Sequence, residues 1–296
     1  LKSIDHPSAK LLLDYLLVVK RLGQLAEGKN GWLRLVKDGR IHGRVNTNGA
    51  VTGRCTHSLP NLAQVPATRA EYGEECRSLF ITKKGYKLVG CDASGLELRM
   101  LAHYMRDENY TNEILSGDIH TANMKAAGLT DRNQAKTFIY AFLYGAGPAK
   151  IGQIVGGGYK EGQKLTDSFL RNTPALARLR ERVSKFSAGG TLPGLDGRRI
   201  RVRSEHAALN TLLQGAGAIV MKQALVLMAE SLDTYAIPYK LVANVHDEFQ
   251  IEVPENFADV VGKAAVRAIK NAGEVLDLRC PLDAEYNVGN NWAETH

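Results

Sequence analysis

Residues 86–100 read YKLVGCDASGLELRM and carry the first sign of the architecture. The apolar residues of YKLVGC predict a short buried strand that ends at Asp92. Apolar residues then recur at Leu96, Met100 and Tyr104, and this spacing predicts a helix directly after the strand. A strand that runs straight into a helix indicates a domain that combines a sheet with helices.

The rest of the chain alternates helical segments with short strands. Residues 239–253, YKLVANVHDEFQIEV, predict a β-hairpin with HDE between its strands. Residues 38–66 are rich in Gly, Asn, Thr and Pro, which indicates an ordered loop region with short strands such as 40–45. Further helices are predicted over residues 7–26, 131–145, 163–186, 207–232 and 254–272. The expected fold class is α+β or mixed α/β, with a helix-only middle at about 105–205 inserted between two halves of a sheet-bearing core.

Composition places the chain among soluble globular proteins. Of its 296 residues, 44% are hydrophobic and 23% are charged. It contains no apolar run of about eighteen residues, so no transmembrane helix is expected. The opening LKSIDHPSAK lacks the apolar stretch of a signal peptide. The four cysteines are scattered without a C-x-x-C pair, so neither a disulfide framework nor a zinc site is expected, and a reducing cytoplasm fits best.

The net charge of +7 favours a polyanionic partner only weakly, since many basic proteins of this size bind no nucleic acid. The distribution of the charge is more informative. Between residues 160 and 203, Lys and Arg strongly outnumber Asp and Glu, a bias that a solvated surface does not require.

Two carboxylates stand where a metal ion could be held. Asp92 ends the predicted strand, and Asp247 lies at the tip of the predicted hairpin. A carboxylate at a strand end is held rigidly while its oxygens reach solvent, which suits a hard cation such as Mg²⁺. Each residue also has a plain structural interpretation, because Asp92 could cap the following helix and Asp247 could fill an ordinary turn. Their separation along the chain does not show that they are close in space.

The predicted helix at 131–145 carries a second chemical pattern. Arg132, Lys136, Tyr140 and Tyr144 recur every four residues and therefore trace one gently drifting face. Two cations followed by two aromatic rings suit a nucleotide, with the cations at its phosphates and the rings against sugar and base. The alternative is that two surface cations happen to precede two half-buried tyrosines.

Three segments together resemble motifs A, B and C of the family A DNA polymerases, in the order of that family. They are CDASGLELRMLAH (91–103), DRNQAKTFIYAFLYGAG (131–147) and NVHDEFQ (244–250). The resemblance is greatest to the bacteriophage branch and runs from about His6 to His296. It includes GAVTGRCTHSLPNLAQVP, GDIHT, LDGRRIRVRSEHAALNTLLQGAGA and the closing NWAETH.

The resemblance implies a division of the chain and a metal site. Residues 1–40 would form the end of a thumb helix and a linker, 41–104 the first part of the palm, 105–205 the fingers, and 206–296 the rest of the palm. Two Mg²⁺ ions, with Mn²⁺ as an alternative, would be held by the carboxylates of Asp92 and Asp247 and by the backbone carbonyl of Ala93. Glu248 would support this site, and His246 would lie near the terminal phosphate of the primer.

The resemblance also implies contacts to an incoming dNTP and to the primer–template DNA. Arg132, Lys136 and His120 would bind the triphosphate, and Tyr144 would lie near the template base. Glu97 would crowd the ribose 2′ position and so favour deoxynucleotides. A hydroxyl at Tyr140 would substitute for a missing 3′-OH and weaken discrimination against dideoxynucleotides. The residues expected at the minor groove of the duplex are Arg54, Asn210 and Gln214, with Asn61 and Gln64 equally consistent with a purely structural role.

The resemblance starts near the end of the thumb, and this bears on partners. Without a thumb and a 3′–5′ exonuclease domain, the chain is expected to bind primer–template weakly, to extend it distributively and not to proofread. A separate chain would supply both parts, or the sequence is a fragment. Two other functions stay open, a single-subunit RNA polymerase and a non-catalytic DNA-binding subunit. No membrane partner is expected, and the expected location is the cytoplasm of a bacterial host if the gene belongs to a phage.

Overall fold

The computed structural model describes Ile4 and residues 6–296. The first residues of the predicted segment 1–40, namely Leu1–Ser3 and Asp5, lie outside the described residues. The strands are β1 (Val36–Lys37), β2 (Arg40–Ile41), β3 (Arg44–Asn46), β4 (Thr56–Ser58), β5 (Tyr86–Ala93), β6 (Thr191–Pro193), β7 (Arg199–Arg201), β8 (Lys240–Val245), β9 (Glu248–Pro254) and β10 (Ala284–Gly289). The α-helices are α1 (Pro7–Leu22), α2 (Trp32–Leu35), α3 (Gly73–Ser78), α4 (Leu96–Met105), α5 (Glu108–Leu115), α6 (Ile119–Ala127), α7 (Arg132–Leu143), α8 (Pro148–Ile154), α9 (Tyr159–Asn172), α10 (Pro174–Ser187), α11 (Ala208–Thr234) and α12 (Ala258–Val275).

A four-stranded antiparallel sheet in the order β10-β5-β9-β8 forms the centre of the fold. Both faces of this sheet are covered. Successive residues of a strand point to opposite faces, and neighbouring residues of β5 belong to two different cores. Val89 and Cys91 of β5 belong to the large core that includes α11 and α12. Leu88 belongs to a smaller core with Trp32 and Trp292. Burial on two sides explains why β5 reads as a nearly continuous apolar run.

The register between β5 and β9 determines which residues meet at the end of the sheet. Asp92 lies directly opposite Glu248, and Cys91 lies opposite Phe249. One residue further on, the backbone N–H of Ala93 donates to the carbonyl of Asp247 at 3.0 Å. Two segments that are far apart in sequence are therefore joined at their acidic residues.

Helices α5 to α10 lie between β5 and the second half of the sheet in sequence, together with the small hairpin β6–β7. Edge-to-face contacts of Phe169 with Phe138 and Phe142 hold α7 against α9. The buried face of α7 also includes Ala135 and Ile139, whereas Arg132 lies on the exposed face. The α+β fold class is thereby confirmed.

Several predicted elements differ in their bounds. The helical segment predicted at 163–186 is divided into two helices, α9 and α10, because Pro174 has no N–H to continue the first one. The strand predicted at 40–45 is two short strands, β2 and β3. Glu248 lies in β9 rather than in the hairpin turn, which leaves His246 and Asp247 as the turn residues.

One helix is long and apolar enough to cross a membrane by length and composition alone, over Glu205–Thr234. In the fold, 61% of its most apolar window is buried, and α11 packs against α12 and α4. Its apolar character is accounted for by its central place in the core.

Candidate active site

The carboxylates of Asp92 and Asp247 lie at the same end of the sheet. Asp92 is the second-last residue of β5, and Asp247 lies in the turn between β8 and β9. His246, just before it, adopts a left-handed backbone conformation with φ of 58°, which makes the turn tight. The side chain of Asp92 is exposed and that of Asp247 is half-buried, so both reach solvent at this end of the sheet.

Crowding of negative charge is evident in the titration of Asp92. Desolvation, followed by the charges of Asp247 and Glu248, raises the pKa of Asp92 to about 7. His296 supplies some opposing positive charge, but the pKa of Asp92 stays well above its ordinary value, so the negative charges around it are only partly balanced. A bound cation would supply further positive charge.

Glu248 differs from the other two acids because it is already fully partnered. Its side chain is only 4% exposed and accepts hydrogen bonds from Trp292 Nε1 and Gln250 Nε2. The ring of His296 lies 2.9 Å away, and Arg77 Nη1 lies at 3.7 Å. Burial opposes its ionisation, but the bonds from His296, Trp292 and Gln250 lower the pKa of Glu248. Glu248 is therefore better placed to hold the sheet end in position than to act as a mobile metal ligand.

The sequence did not single out the residues that surround Glu248. Trp292 and His296 belong to the closing NWAETH, which was noted only as part of the resemblance. Arg77 is buried in α3, and its guanidinium also stacks on the Trp292 ring at 4.5 Å. No sequence pattern connected Arg77 to the hairpin, because its burial and its partners are set by the tertiary fold.

The carboxylates of Asp92 and Asp247 fit Mg²⁺ as a site of two protein ligands. In the part of the chain that the structure describes, no three His, Cys, Asp or Glu side chains converge as a complete metal-binding group. Two carboxylates alone are nevertheless what Mg²⁺ commonly takes from a protein, because it keeps waters and binds substrate phosphates at its other positions. The crowding of negative charge at Asp92 is consistent with such a site.

The predicted stripe on α7 forms one surface together with His120 of α6. The rings of Tyr140 and Tyr144 are stacked with centroids 6.5 Å apart, and the His120 ring lies 6.4 Å from Tyr140. Burial, and then the positive charges of Arg132 and Lys136, lower the pKa of His120. The structure therefore places three cationic or basic side chains together, next to two aromatic rings.

Arg132 is not free in this surface. Its Nε and Nη2 atoms donate to the two oxygens of Asp118 at 2.6 and 3.0 Å. The side chain of Lys136 is exposed. The sequence did not predict this contact to Asp118.

Glu97 connects the sheet end to the helix α7. It accepts a hydrogen bond from the Tyr144 hydroxyl at 2.9 Å and another from Arg54 Nη2 at 3.3 Å. Burial, followed by the charges of Glu97 and Asp247, raises the pKa of Tyr140. The aromatic end of the α7 surface thus lies within the field of the carboxylates.

The residues expected at the DNA duplex fall into two groups. Arg54 faces the same small cleft as His246, whose pKa is lowered by desolvation and then by the charge of Arg54. Asn210 and Gln214 are half-buried and one turn apart on α11.

The second group lies on the loop after β4. Asn61 and Gln64 are exposed there, and the Gln64 carbonyl accepts from Gln24. No contact among the described residues joins this loop pair to the carboxylates.

This arrangement of sheet, paired acids and cationic helix is that of a polymerase palm and fingers. The fold superposes on the solved POL domain of Pol1 from M. smegmatis, in complex with DNA primer-template and dNTP, with a TM-score of 0.88. That comparison covers 99% of this chain and 55% of the other at 24% identity, and it establishes the fold.

Sequence comparisons assign the family. The model for DNA polymerase family A matches residues 1–294, and the chain therefore belongs to that family. It is 47% identical to the DNA-directed DNA polymerase of Enterobacteria phage T3 and 48% identical to that of Escherichia phage T7, over 99% of this chain in both cases. The thermostable DNA polymerase I of Thermus aquaticus is 30% identical over 97% of this chain and 36% of its own length.

The chain spans about half the length of the phage relatives, 47% in each case. The predicted resemblance to the family and to its bacteriophage members is confirmed. Metal dependence is general among DNA polymerases of this family.

Proposed function

We propose that this chain carries out template-directed DNA synthesis, adding dNTPs to a primer 3′-OH with release of pyrophosphate. The observation that carries the proposal is the register of β5 and β9. It brings Asp92 beside Asp247, and the charge of Asp247 acts on Tyr140 of α7. Proteins that bear the name DNA-directed DNA polymerase match the chain over nearly its whole length. We further propose the division 1–40, 41–104, 105–205 and 206–296 into thumb end, palm, fingers and palm.

The metal ions belong to the proposal as two Mg²⁺ ions, with Mn²⁺ as an alternative. Asp92, Asp247 and the carbonyl of Ala93 would hold them. When bound, such ions activate the attacking hydroxyl and neutralise charge on the phosphates. Glu248 maintains the geometry of the sheet end, because its four neighbours fix it opposite Asp92.

The remaining residues of the site bind and orient the nucleotide. Lys136, Arg132 and His120 present positive charge or N–H donors to the triphosphate, and phosphoryl transfer depends largely on such positioning and charge stabilisation. Tyr140 and Tyr144 offer ring faces to sugar and base. The side chain of Glu97 borders the same space and limits room at the ribose 2′ position.

DNA contacts are proposed for Arg54, Asn210 and Gln214 in the minor groove, where acceptors common to every base pair allow geometry to be checked without reading sequence. Asn61 and Gln64 are weaker candidates because, among the described residues, no hydrogen bond or ion pair joins their side chains to this cluster. His246 would meet the terminal phosphate of the primer.

The helix α1 presents a large apolar surface. Leu11 is 72% exposed, Tyr15 is 62% exposed, and Ala9 is its buried residue. Contiguous apolar surface of this kind usually marks an interface. We propose that it packs against helices of a thumb, supplied by a separate chain that also carries the exonuclease or by another part of the same polypeptide. The proposed location is the cytoplasm of a bacterial host cell.

The test is primer extension by the purified chain with excess primer–template at low salt, with Mg²⁺ and each dNTP. We expect extension by the wild type, abolished in Asp247→Ala and retained in Asp167→Ala, which removes an exposed acid of α9. Failure of the wild type under these conditions would contradict the proposal and favour a non-catalytic subunit. Equal use of rNTPs would instead favour an RNA polymerase.

A further inference from the structure

Asp118 makes an unusually dense set of contacts beside the proposed triphosphate site. Its carboxylate caps α6 by accepting from the backbone N–H of His120 at 3.1 Å and from Thr121 Oγ1 at 2.8 Å. The same carboxylate accepts two further bonds from Arg132, through Nε at 2.6 Å and Nη2 at 3.0 Å. One side chain thus joins the start of α6 to the start of α7.

The geometry of the ion pair leaves Arg132 able to bind a phosphate. Because Asp118 uses the edge formed by Nε and Nη2, the Nη1 donors and the second Nη2 proton stay available on the other edge. A phosphate can therefore bind Arg132 without displacing Asp118. Lys136 and His120 lie on the same surface, since both Arg132 and Lys136 lower the pKa of His120.

Exposed ion pairs usually contribute little, because two flexible side chains must be held together. The pair of Asp118 and Arg132 is an exception, because it is bidentate and because Asp118 is already held in place as the cap of α6. Bonds from Arg132 and then Thr121 hold the pKa of Asp118 far below its usual range, so the carboxylate is charged at neutral pH. The guanidinium is thereby ordered before any ligand arrives.

We propose that Asp118 is a positioning residue for the triphosphate: it holds the Arg132 guanidinium in the orientation that binds phosphate and fixes it relative to His120. The inference rests on the proposed function of the α7 surface. An alternative is that Asp118 competes with the phosphate for Arg132. The two differ in sign, because loss of a positioning group weakens ligand binding whereas loss of a competitor strengthens it.

The decisive variant is Asp118→Asn, matched by Asp131→Asn. Both aspartates cap a helix, and Asn is an equally good cap, so both helices are retained. Asp131 caps α7 through the N–H groups of Asn133 and Gln134. The pair of variants therefore separates loss of a nearby acidic charge from loss of the Arg132 contact.

Two measurements are made on each protein. Single-nucleotide insertion should show KM for dNTP raised about 10-fold in Asp118→Asn with kcat changed less than about 3-fold, because ground-state and transition-state binding fall together. Calorimetric titration with inorganic tripolyphosphate should show a similar loss of affinity. Asp131→Asn should resemble the wild type in both. In a double-mutant cycle, Arg132→Lys should weaken tripolyphosphate binding much less in the Asp118→Asn background than in the wild type.

The inference is overturned if Asp118→Asn leaves tripolyphosphate affinity unchanged or increases it, or if the two substitutions are additive. Because the titration needs no turnover, it tests the inference even if no extension is detected. Absence of extension by the wild type with normal tripolyphosphate binding would count against the proposed function and not against the role of Asp118.

Discussion

Replacing Asp92 by Asn should stabilise the metal-free protein while abolishing its activity. The charges of Asp247 and Glu248 surround Asp92, and desolvation together with these charges raises its pKa to about 7. A carboxyl with a raised pKa in the folded state contributes stability at low pH, and this contribution is lost as pH rises from about 4 through about 7. At pH 8 the folded wild type must therefore carry a charge that its neighbours disfavour. The amide of Asn carries none.

The expected gain in stability follows from the difference between the pKa of Asp92 in the folded protein, about 7, and its ordinary value of 3.8. Full conversion at ~1.4 kcal/mol per pH unit gives ~4 kcal/mol, which applies to a fully buried group. The side chain of Asp92 reaches solvent, so screening reduces this to ~1–2 kcal/mol. For a chain of this size the difference corresponds to an increase in Tm of about 2–3 °C.

The assay is thermal unfolding of wild type and Asp92→Asn in EDTA at pH 5 and pH 8, with Glu230→Gln as a matched surface control on α11. We expect the Tm of Asp92→Asn to exceed that of the wild type at pH 8 and to approach it at pH 5. Adding Mg²⁺ should raise the Tm of the wild type more than that of the variant, because the proposed metal site needs both acids in the folded protein. A lower Tm for the variant at pH 8, or a pH-independent difference, would refute this reasoning.

Three further changes test other parts of the site. Tyr140→Phe should raise discrimination against dideoxynucleotides by about 10-fold or more, because one hydroxyl contact is lost, as measured by the ratio of ddNTP to dNTP incorporation. Glu97→Ala should increase rNTP use relative to dNTP use by about 10-fold in the same assay, and an unchanged ratio would count against the crowding of the 2′ position. Trp292→Phe should destabilise the protein by ~1–3 kcal/mol in urea unfolding, because buried Glu248 loses a donor, and an unchanged midpoint would show that water replaces it.

The sequence predicted the elements of the site better than their relations in space. The strand before Asp92, the hairpin around Asp247 and the helix at 131–145 follow from local apolar periodicity, which a sequence displays directly. The register of β5 and β9, which places Asp92 opposite Glu248, depends on packing across the whole sheet. Only the ordered motifs of the resemblance linked the two acids before the structure did.

Contacts between side chains of different elements were beyond the reach of sequence patterns. The pair of Asp118 and Arg132 joins two helices, and the bond from Tyr144 to Glu97 joins a helix of the insertion to the sheet end. Each of these residues is an ordinary polar residue on a helix surface when seen alone. Their partners are set by the angle at which the helices pack, which no local period encodes.

The site contains two clusters of charge of opposite sign, one at the sheet end and one on the α6–α7 surface. In each cluster the surroundings favour the neutral form of one titratable group. At the sheet end, the pKa of Asp92 is raised, so its neutral form is favoured. On the α6–α7 surface, burial and neighbouring cations lower the pKa of His120, so its neutral form is favoured as well. A ligand that brings cations to the first cluster and phosphates to the second relieves both at once. In the proposed function, the free energy that the crowding of like charges costs the folded protein would be offset when that ligand binds, which is the physical basis of a preorganised polar site.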